Sequence, residues 1–328
     1  MRLGEIGEFG LIDRIAGKVA AGAGVRLGIG DDAAVTETEA GRLLLSTADM
    51  LVEGIHFDLS FTDPFRLGRK SLAVNVSDIA AMGGHPRHAL LCLAIPTDLP
   101  VEFLDRFADG VISLAEEFGV TLIGGDTCRS SSGLVISITL HGEQVPTRII
   151  PRNGARPGDD VFVTGTVGDS ALGLELLRRG ERSGHAVERH LNPSPRVSAG
   201  LSLAESGMAS AMIDVSDGVL ADLGHILTGS GVGARIDASL IPLSPYFSQR
   251  APDVAPDPLS LALAGGEDYE LLFTAAPGRT AEVETLLAAC GVTATRIGSI
   301  VAGSDVTVTA ADGTLIPPRR RGFNHFAP

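Results

Sequence analysis

Short β-like runs alternate with helical segments along the whole chain, and this pattern predicts an α/β or α+β architecture. In the first half, the pattern predicts strands over 42–48, 88–95, 120–123 and 134–141, and helices over 62–82 and 101–118. In the second half, it predicts strands over 160–164, 270–274, 295–300 and 306–310, an apolar strand that runs into 213–218, and helices that follow 170, 218 and 280. Residues 242–258 hold five prolines, so we expect a long irregular loop there.

A composition shift near residues 145–155 divides the chain in two. Prolines and glycines crowd this stretch, and the strand pattern restarts at Asp160. The predicted domains are therefore residues 1–147 and residues 148–328. With 328 residues, the chain is long enough to give each domain a substantial core.

Composition and charge restrict the class of partner. The formal net charge of −14 argues against nucleic-acid or anionic-membrane binding as the main function. No apolar run approaches the roughly 20 residues of a membrane helix, and charged residues interrupt the N-terminus, which is not typical of a signal peptide. The three cysteines are far apart and odd in number, which argues against disulfides or a zinc site and fits a reducing cytoplasm.

The lysine content restricts how the protein could handle phosphates. The chain has only two lysines, Lys18 and Lys70, and neither lies in a Walker A sequence. Phosphate binding would therefore depend on arginine side chains, backbone amides and metal ions.

The stretch 28–35 presents two adjacent carboxylates, Asp31 and Asp32, directly after two glycines that allow a tight turn. Neighbouring side chains on an extended segment point to opposite sides, so we expect one carboxylate to face a site. The same stretch fits the dinucleotide fingerprint, with Asp49 at the distance of a ribose contact. The carboxylates would repel a pyrophosphate and no helical pattern follows, so that reading fails. An ordinary surface turn is the alternative for this stretch taken alone.

Acidic residues recur at predicted strand ends or beside glycine turns. In open α/β sheets, ligands bind beyond the carboxyl ends of the strands, and carboxylates gathered there repel each other unless cations bind. Mg²⁺ takes oxygen ligands and bridges to phosphates, so the set predicts metal-assisted phosphoryl transfer. Each acid alone is also typical of a helix cap or a turn. The set consists of Asp31, Asp32, Asp49, Asp126, Asp214, Asp217, Glu267 and Asp268, and Asp78 joins it from late in a predicted helix.

Several motifs resemble those of the thiamine-monophosphate kinase family, and the resemblance covers essentially the full length. They include Gly28-Ile29-Gly30-Asp31-Asp32 and Gly124-Gly125-Asp126-Thr127. The other matching segments are residues 7–12, 47–57, 72–83, 163–165, 214–217, 265–271 and 322–326. This family belongs to a superfamily shared with aminoimidazole ribonucleotide synthetase, selenophosphate synthetase and a hydrogenase maturation protein.

The resemblance implies a two-domain fold and an activity. The N-terminal α/β domain would pair its sheet with that of a partner subunit to form a barrel, and residues 148–328 would form a C-terminal α/β domain that completes the site. The implied activity is ATP-dependent phosphorylation of thiamine monophosphate to thiamine diphosphate, the last step of its biosynthesis, in a cytoplasmic homodimer. For the mechanism, we hypothesise direct in-line transfer with no catalytic side chain that forms a phosphoenzyme, because the sequence offers no cysteine in a family motif and no obvious Ser–His pair.

The family motifs also assign residues to ligands. Several Mg²⁺ ions would be held by Asp32, Thr47, Ala48, Asp49, Asp78, Asp126, Asp214 and Asp217. ATP would contact Gly125, Asp126, Arg152 and Ser216. Thiamine monophosphate would contact His56, Glu267 and Phe323, whose aromatic face suits a cationic ring.

One position departs from the family pattern. The family often has a hydroxyl residue where this chain has Ala48. A metal contact through the backbone carbonyl would survive this change, whereas a contact through the hydroxyl would be absent.

The nearest rivals come from the same superfamily. The familiar selenophosphate synthetases carry a reactive cysteine near the N-terminus, whereas no cysteine precedes Cys92 here. The maturation protein uses a C-terminal cysteine, and this sequence ends in Phe326-Ala327-Pro328. The remaining alternative is a non-catalytic regulator that binds a nucleotide or a metal.

Overall fold

The computed structural model of the protein describes residues 25–27, 31–32, 34–37, 41–317 and 322–323. The motif at 7–12, the glycines of the turn at 28–30 and residues 324–326 of the last motif lie outside the described residues. The described chain forms two six-stranded sheets, each covered by helices. No helix in the described ranges is both long and apolar enough to cross a membrane.

The first sheet has the strand order β1-β2-β3-β6-β4-β5. Neighbouring strands are antiparallel except β4 and β5, which are parallel and are joined by the helix α2. Buried residues alternate along β3 and β6, because only one face of the sheet packs against helices. The elements are β1 (Val25–Leu27), β2 (Ala34–Glu37), β3 (Leu43–Val52), α1 (Pro64–Ala81), β4 (His85–Pro96), α2 (Val101–Phe118), β5 (Thr121–Ser130) and β6 (Val135–Gln144).

The helix α1 starts and ends where its sequence predicts. Asp63 caps the N-terminus by accepting a hydrogen bond from the Arg66 amide (3.1 Å), and Pro64 occupies the first turn. The helix contacts β3 and β6 on one side and β8 of the second sheet on another, so most of its residues are buried. A Cβ atom at Gly68 would lie 2.0 Å from the Phe107 carbonyl oxygen, so glycine is required where α1 crosses α2.

The second sheet has the strand order β12-β9-β11-β7-β10-β8, and only β12 and β9 are parallel neighbours. Its strands are β7 (Asp160–Thr164), β8 (Ala209–Asp214), β9 (Gly233–Asp237), β10 (Leu271–Ala275), β11 (Ala294–Val301) and β12 (Val306–Thr309). Its helices are α3 (Asp169–Arg178), α4 (His185–Leu191), α5 (Val197–Ser206), α6 (Val219–Ser230), α7 (Pro245–Val254), α8 (Pro258–Ala264) and α9 (Thr280–Ala288). The central strands β7 and β10 are buried along their whole length, as expected of strands covered on both faces.

The loop predicted over 242–258 was wrong, because most of that segment is helical. Ser244 caps α7 by accepting a hydrogen bond from the Phe247 amide (2.9 Å), and Pro245 stands in the first turn. Asp257 and Pro258 open α8 in the same way. Proline is well tolerated at the first helical position, so two of these prolines mark helix starts rather than a loop. The short helices α4 and α5 and the strands β1, β2 and β9 were not predicted.

Two predicted strand ends were also wrong. Asp49 lies in the middle of β3, which continues to Val52, and Gly125 and Asp126 lie inside β5 rather than after it. β5 is exposed rather than buried along nearly all of its length. The predicted boundary between residues 147 and 148 falls in a short 3-10 turn, Pro146–Arg148, and stays a prediction.

Candidate functional site

Four carboxylates from separate parts of the chain converge where α1 lies between the two sheets. Asp49 comes from β3, Asp78 from the last turns of α1, Asp214 from the end of β8, and Asp32 from the segment between β1 and β2. One carboxylate oxygen each from Asp32, Asp78 and Asp214 lie within 4.8 Å of one another. We call these four residues the acidic cluster.

Two adjacent residues of α1 tie the cluster to both sheets. Ser77 donates a hydrogen bond from its hydroxyl to Asp214 Oδ2 (2.6 Å), on the second sheet. Asp78 accepts a hydrogen bond from the Thr47 hydroxyl, on the first sheet. Thr47 and Asp49 are two residues apart on β3 and share the face that packs against α1.

Burial and mutual repulsion raise the pKa values of the cluster. Burial, followed by the charge of Asp32, raises the pKa of Asp49 to about 6 and that of Asp214 to about 8. Burial and the charges of the other three members raise the pKa of Asp78 well above its usual range. Burial also raises the pKa of Asp32, although Arg152 opposes this rise. The folded chain thus disfavours the ionised form of carboxyl groups that it brings together.

Among the described residues, Arg152 is the cation that lies next to the cluster. Its guanidinium forms an ion pair with Asp32, and its Nε lies 3.5 Å from Asp31 Oδ1. Burial alone would lower the pKa of Arg152, but Asp32, Asp31 and Asp214 raise it further above its usual range. In the described part of the chain, this one guanidinium faces several carboxyl groups, and its charge does not balance theirs when they are ionised.

The two adjacent aspartates have different partners. Asp31 accepts hydrogen bonds from the Arg152 amide (3.0 Å) and from the Asp32 amide (2.9 Å), so it fixes the backbone between the sheets. Asp32 instead contributes an oxygen to the acidic cluster. Its Oδ2 atom and the Oδ2 atom of Asp49 are buried and have no hydrogen-bond partner within the described part of the chain.

This donor set fits Mg²⁺. A divalent cation binds hard oxygen ligands, and two of these carboxylate oxygens are buried without a hydrogen-bond partner among the described residues. A bound cation would also offset the negative charge of the ionised cluster. The predicted ligand Ala48 also lines the pocket around the cluster. Its side chain points to the opposite face of β3 from Thr47 and Asp49, so its backbone is the part turned toward the pocket.

The pocket also contains residues that were not predicted. It is lined by Asp31, Asp32, Thr47, Ala48, Asp49, Asp78, Arg152, Ser216, Asp217, Asp222 and His225. Asp222 and His225 were missed, although Asp222 stands in the first turn of a helix that begins just after the Asp214–Asp217 motif. An acidic side chain at that position, with a second polar residue three positions on, is a signal that both face the same side. Burial, followed by the charge of Arg152, lowers the pKa of His225 to about 4.

Glu267 stands in a separate, well-paired environment. Lys70, which is almost fully buried on α1, places its Nζ atom 2.9 Å from Glu267 Oε1, and His190 Nδ1 lies 3.3 Å from Oε2. Burial alone would raise the pKa of Glu267, but Lys70, His190 and His56 together lower it. His56 is thus close enough to act on Glu267, which brings two of the predicted substrate residues together.

The third predicted substrate residue, Phe323, is bonded to a residue that lines the pocket around the acidic cluster. Its backbone amide donates a hydrogen bond to the Asp217 carbonyl oxygen (3.1 Å), and about half of its surface (49%) is exposed. The described structure therefore connects Phe323 with the predicted metal ligand Asp217.

The structure does not bring Gly125 and Asp126 to the cluster of the same chain. Asp126 lies in one row across the sheet with Met50 and Cys92, whereas Asp49 lies in the next row with Gly125. Paired residues share a face and successive residues alternate, so Asp126 and Asp49 point to opposite faces. Three strand spacings also separate β3 from β5, which is about 14 Å.

Comparison with known proteins places this geometry in a family. Residues 30–144 match the family model "AIR synthase related protein, N-terminal domain", and residues 156–311 match "AIR synthase related protein, C-terminal domain". The chain is 40% identical to thiamine-monophosphate kinase of Escherichia coli K12 over 98% of both chains.

Solved structures agree with these matches. The structure of AaThiL complexed with AMPPCP and TMP is 38% identical, covers 99% of both chains and superposes with a TM-score of 0.87. Thiamine-monophosphate kinase from Stenotrophomonas maltophilia K279a is 39% identical over 93% of this chain and 96% of its own, with a TM-score of 0.77. From its two-domain fold and its full-length similarity to these enzymes, the chain belongs to the thiamine-monophosphate kinase family.

Proposed function

We propose that the protein transfers the γ-phosphoryl group of ATP to thiamine monophosphate and so forms thiamine diphosphate. The relatives named above carry this activity in their names, and AaThiL was solved with AMPPCP, an analogue of ATP, and TMP. The observation that carries the proposal is the acidic cluster, whose buried carboxylates have two oxygens without a hydrogen-bond partner in the described structure and lie beside Arg152. Such a site suits the metal-bound polyphosphate of a kinase substrate.

Magnesium would be held by the acidic cluster together with Thr47, the Ala48 backbone and Asp217. When bound, Mg²⁺ screens the negative charges of two phosphates from each other and stabilises the transferring group. Arg152 and Ser216 line the same pocket, and a guanidinium is suited to neutralise phosphate oxygens.

Thiamine monophosphate would bind next to Glu267, His56 and Phe323. The positive charge of Lys70 at 2.9 Å favours the ionised form of Glu267, and a carboxylate complements a cationic heteroaromatic ring. The attacking oxygen belongs to a phosphate that is already ionised near neutral pH, so no strong general base is required. We therefore propose direct in-line transfer without a phosphoenzyme.

We further propose that the active enzyme is a homodimer and that the partner subunit supplies Gly125 and Asp126. β5 is an edge strand of the first sheet, and nearly every residue on it is exposed. Long exposed edges are usually covered by another element or another chain. A partner sheet docked at this edge would bury β5 and could complete a site that its own Asp126 cannot reach.

Subunit mixing tests the shared site. Asp49→Asn and Asp126→Asn should each abolish activity, but a mixture should regain about a quarter of the wild-type activity, because half of the dimers carry one intact site. A stable, active monomer, or dimers that exchange subunits without any recovery, would contradict the shared site. Exchange is followed separately, by co-purification of one untagged variant with the other carrying a tag, because wild-type subunits mixed with either variant keep half of the activity whether or not the subunits exchange.

The substrate is tested by ADP release. We expect ADP to form with thiamine monophosphate and very slowly with thiamine, which lacks the accepting phosphate. Release with an aminoimidazole precursor instead would favour another synthetase of the superfamily, and no release with any acceptor would favour a regulator. A labelled protein trapped after incubation with γ-labelled ATP alone would contradict direct transfer.

A further inference from the structure

One buried carboxylate holds the turn that follows β8. Asp222, on the first turn of α6, is only 2% exposed. Its Oδ2 atom accepts hydrogen bonds from three successive backbone amides, those of Ser216 (3.1 Å), Asp217 (3.1 Å) and Gly218 (3.0 Å). Successive amides that converge in this way form an anion-binding concavity, and here a side chain of the same chain fills it.

The carbonyl groups of the same turn hold two residues of the proposed substrate site. The Ser216 carbonyl accepts a hydrogen bond from the Glu267 amide (2.7 Å), and the Asp217 carbonyl accepts one from the Phe323 amide (3.1 Å). Asp214, a member of the acidic cluster, stands at the end of β8 just before the turn. The turn is therefore bonded on its amide side to one carboxylate and on its carbonyl side to the substrate residues.

Ordinary helix capping accounts for only one of these three bonds. α6 begins at Val219 with Gly218 as its N-cap, and a side chain near the helix start that binds the N-cap amide is a common capping bond. Asp222 also binds the two amides before the N-cap, which lie outside the helix. These bonds thus fix the turn that follows β8, at residues 215–218, in addition to the start of α6.

We infer that Asp222 is a positioning residue: it fixes the turn at 215–218 and through it aligns the metal and ATP residues with the thiamine phosphate residues. This inference rests on the proposed function. Gly266 packs directly against the turn, where a Cβ atom would lie 2.2 Å from the Ser216 carbonyl oxygen, so a shift of the turn is passed on to the segment that carries Glu267. Without the Asp222 carboxylate, three amides lose their acceptor at once, and the turn shifts to find others.

Two variants separate shape from charge. Asp222→Ala removes the acceptor, and we expect kcat/KM to fall about 100-fold for both ATP and thiamine monophosphate, as small misplacements of reacting groups do. Asp222→Asn keeps one acceptor oxygen, so we expect a fall of only about 10-fold. Hydrogen exchange of a peptide that covers 215–219, without ligands, should be faster in Asp222→Ala than in wild type.

Asp159→Asn is the matched control. Asp159 is also buried and accepts hydrogen bonds from the Arg156 amide (3.0 Å) and the Ser210 hydroxyl (2.7 Å). It lies beside the end of β7 that is opposite to the acidic cluster, since Ala275 pairs with Asp160 and Leu271 with Asp214. We expect this variant to retain wild-type kinetics and wild-type exchange at 215–219.

A lower Tm for Asp222→Ala with kcat and both KM values unchanged would overturn the inference, as would unchanged exchange at 215–219. If Asp222→Ala does not fold, wild-type exchange and kinetics in Asp222→Asn, with only its Tm lowered, would overturn it equally. Failure of the proposed function would look different: wild-type protein would release no ADP with thiamine monophosphate. The exchange measurement would still decide whether Asp222 holds the turn.

Discussion

Two buried acidic sites in this chain, the single carboxylate of Glu270 and the acidic cluster, differ in how completely their oxygens are paired. Glu270, which is fully buried, accepts hydrogen bonds from the Thr164 hydroxyl (2.7 Å), from Arg189 (2.8 Å) and twice from Arg196 (2.7 and 2.5 Å). Within the residues that the structure describes, the acidic cluster has two buried oxygens without a hydrogen-bond partner and one arginine beside it.

The difference separates a structural site from a ligand site. A buried charge is costly unless it is paired and hydrogen-bonded. Glu270 meets that condition with residues of its own chain, so its role is to hold α4 and α5 against the second sheet. Among the described residues, the acidic cluster does not meet it, so its carboxyl groups either take up protons or, when ionised, require a bound cation.

The largest effect is expected from removing a charge of the acidic cluster. Asp214→Asn keeps the shape of the side chain but not the charge that Mg²⁺ requires, so we predict a loss of activity of about 10²–10³-fold. The Tm without magnesium should stay level or rise, since one repelling charge is removed. Steady-state ADP release at saturating magnesium, beside thermal unfolding, checks both parts. Activity within a few-fold of wild type would contradict the role given to this residue.

Removing the charge of Glu270 should have the opposite effect, with a loss of stability and little change in activity. Glu270→Gln leaves Arg189 and Arg196 without their carboxylate, and breaking a buried pair on one side lowers the free energy of unfolding by about 3 kcal/mol. The activity of the remaining folded protein should change little. Denaturant unfolding measures the first quantity and ADP release the second.

Glu282→Gln is the control for the paired site. Glu282 forms an exposed pair with Arg279 (2.7 Å), and we expect no measurable change in stability when its charge is removed. If Glu270→Gln and Glu282→Gln lowered the free energy of unfolding equally, burial would not be what makes the Glu270 ion pairs important.

A smaller effect is expected from pH. Burial and the nearby Lys70 lower the pKa of His190 to about 3, against 6.5 for an unperturbed histidine. The neutral ring therefore contributes stability that is present above pH 6.5 and is lost as the pH falls toward about 3. Between pH 6.5 and about pH 5, the loss is about 2 kcal/mol. His190→Gln should lose less stability over this range in unfolding experiments at several pH values, and an identical pH dependence would contradict the assignment.

How far the sequence predicts the site depends on the kind of residue. The sequence could predict that Asp78 and Asp214 belong to one site, because a capped helix and the end of a strand are local features that determine where a side chain lies. The pairing partner of β5 and the direction of Asp126 depend on strand register, which no local motif determines. Asp222 was missed because its role lies in bonds to backbone amides, which leave only a weak trace in the sequence. The helix over 245–254 was missed because proline marks helix starts as well as loops.

The most direct test of the account is a magnesium titration without nucleotide or thiamine phosphate. The account predicts that the Tm of the wild-type protein rises with magnesium concentration, since a cation that binds only the folded state stabilises it. The Tm of Asp214→Asn should rise much less, and that of Glu270→Gln should start lower but rise as in wild type. A wild-type Tm that does not respond to magnesium, or an equal rise in Asp214→Asn, would contradict the claim that the acidic cluster is a metal site.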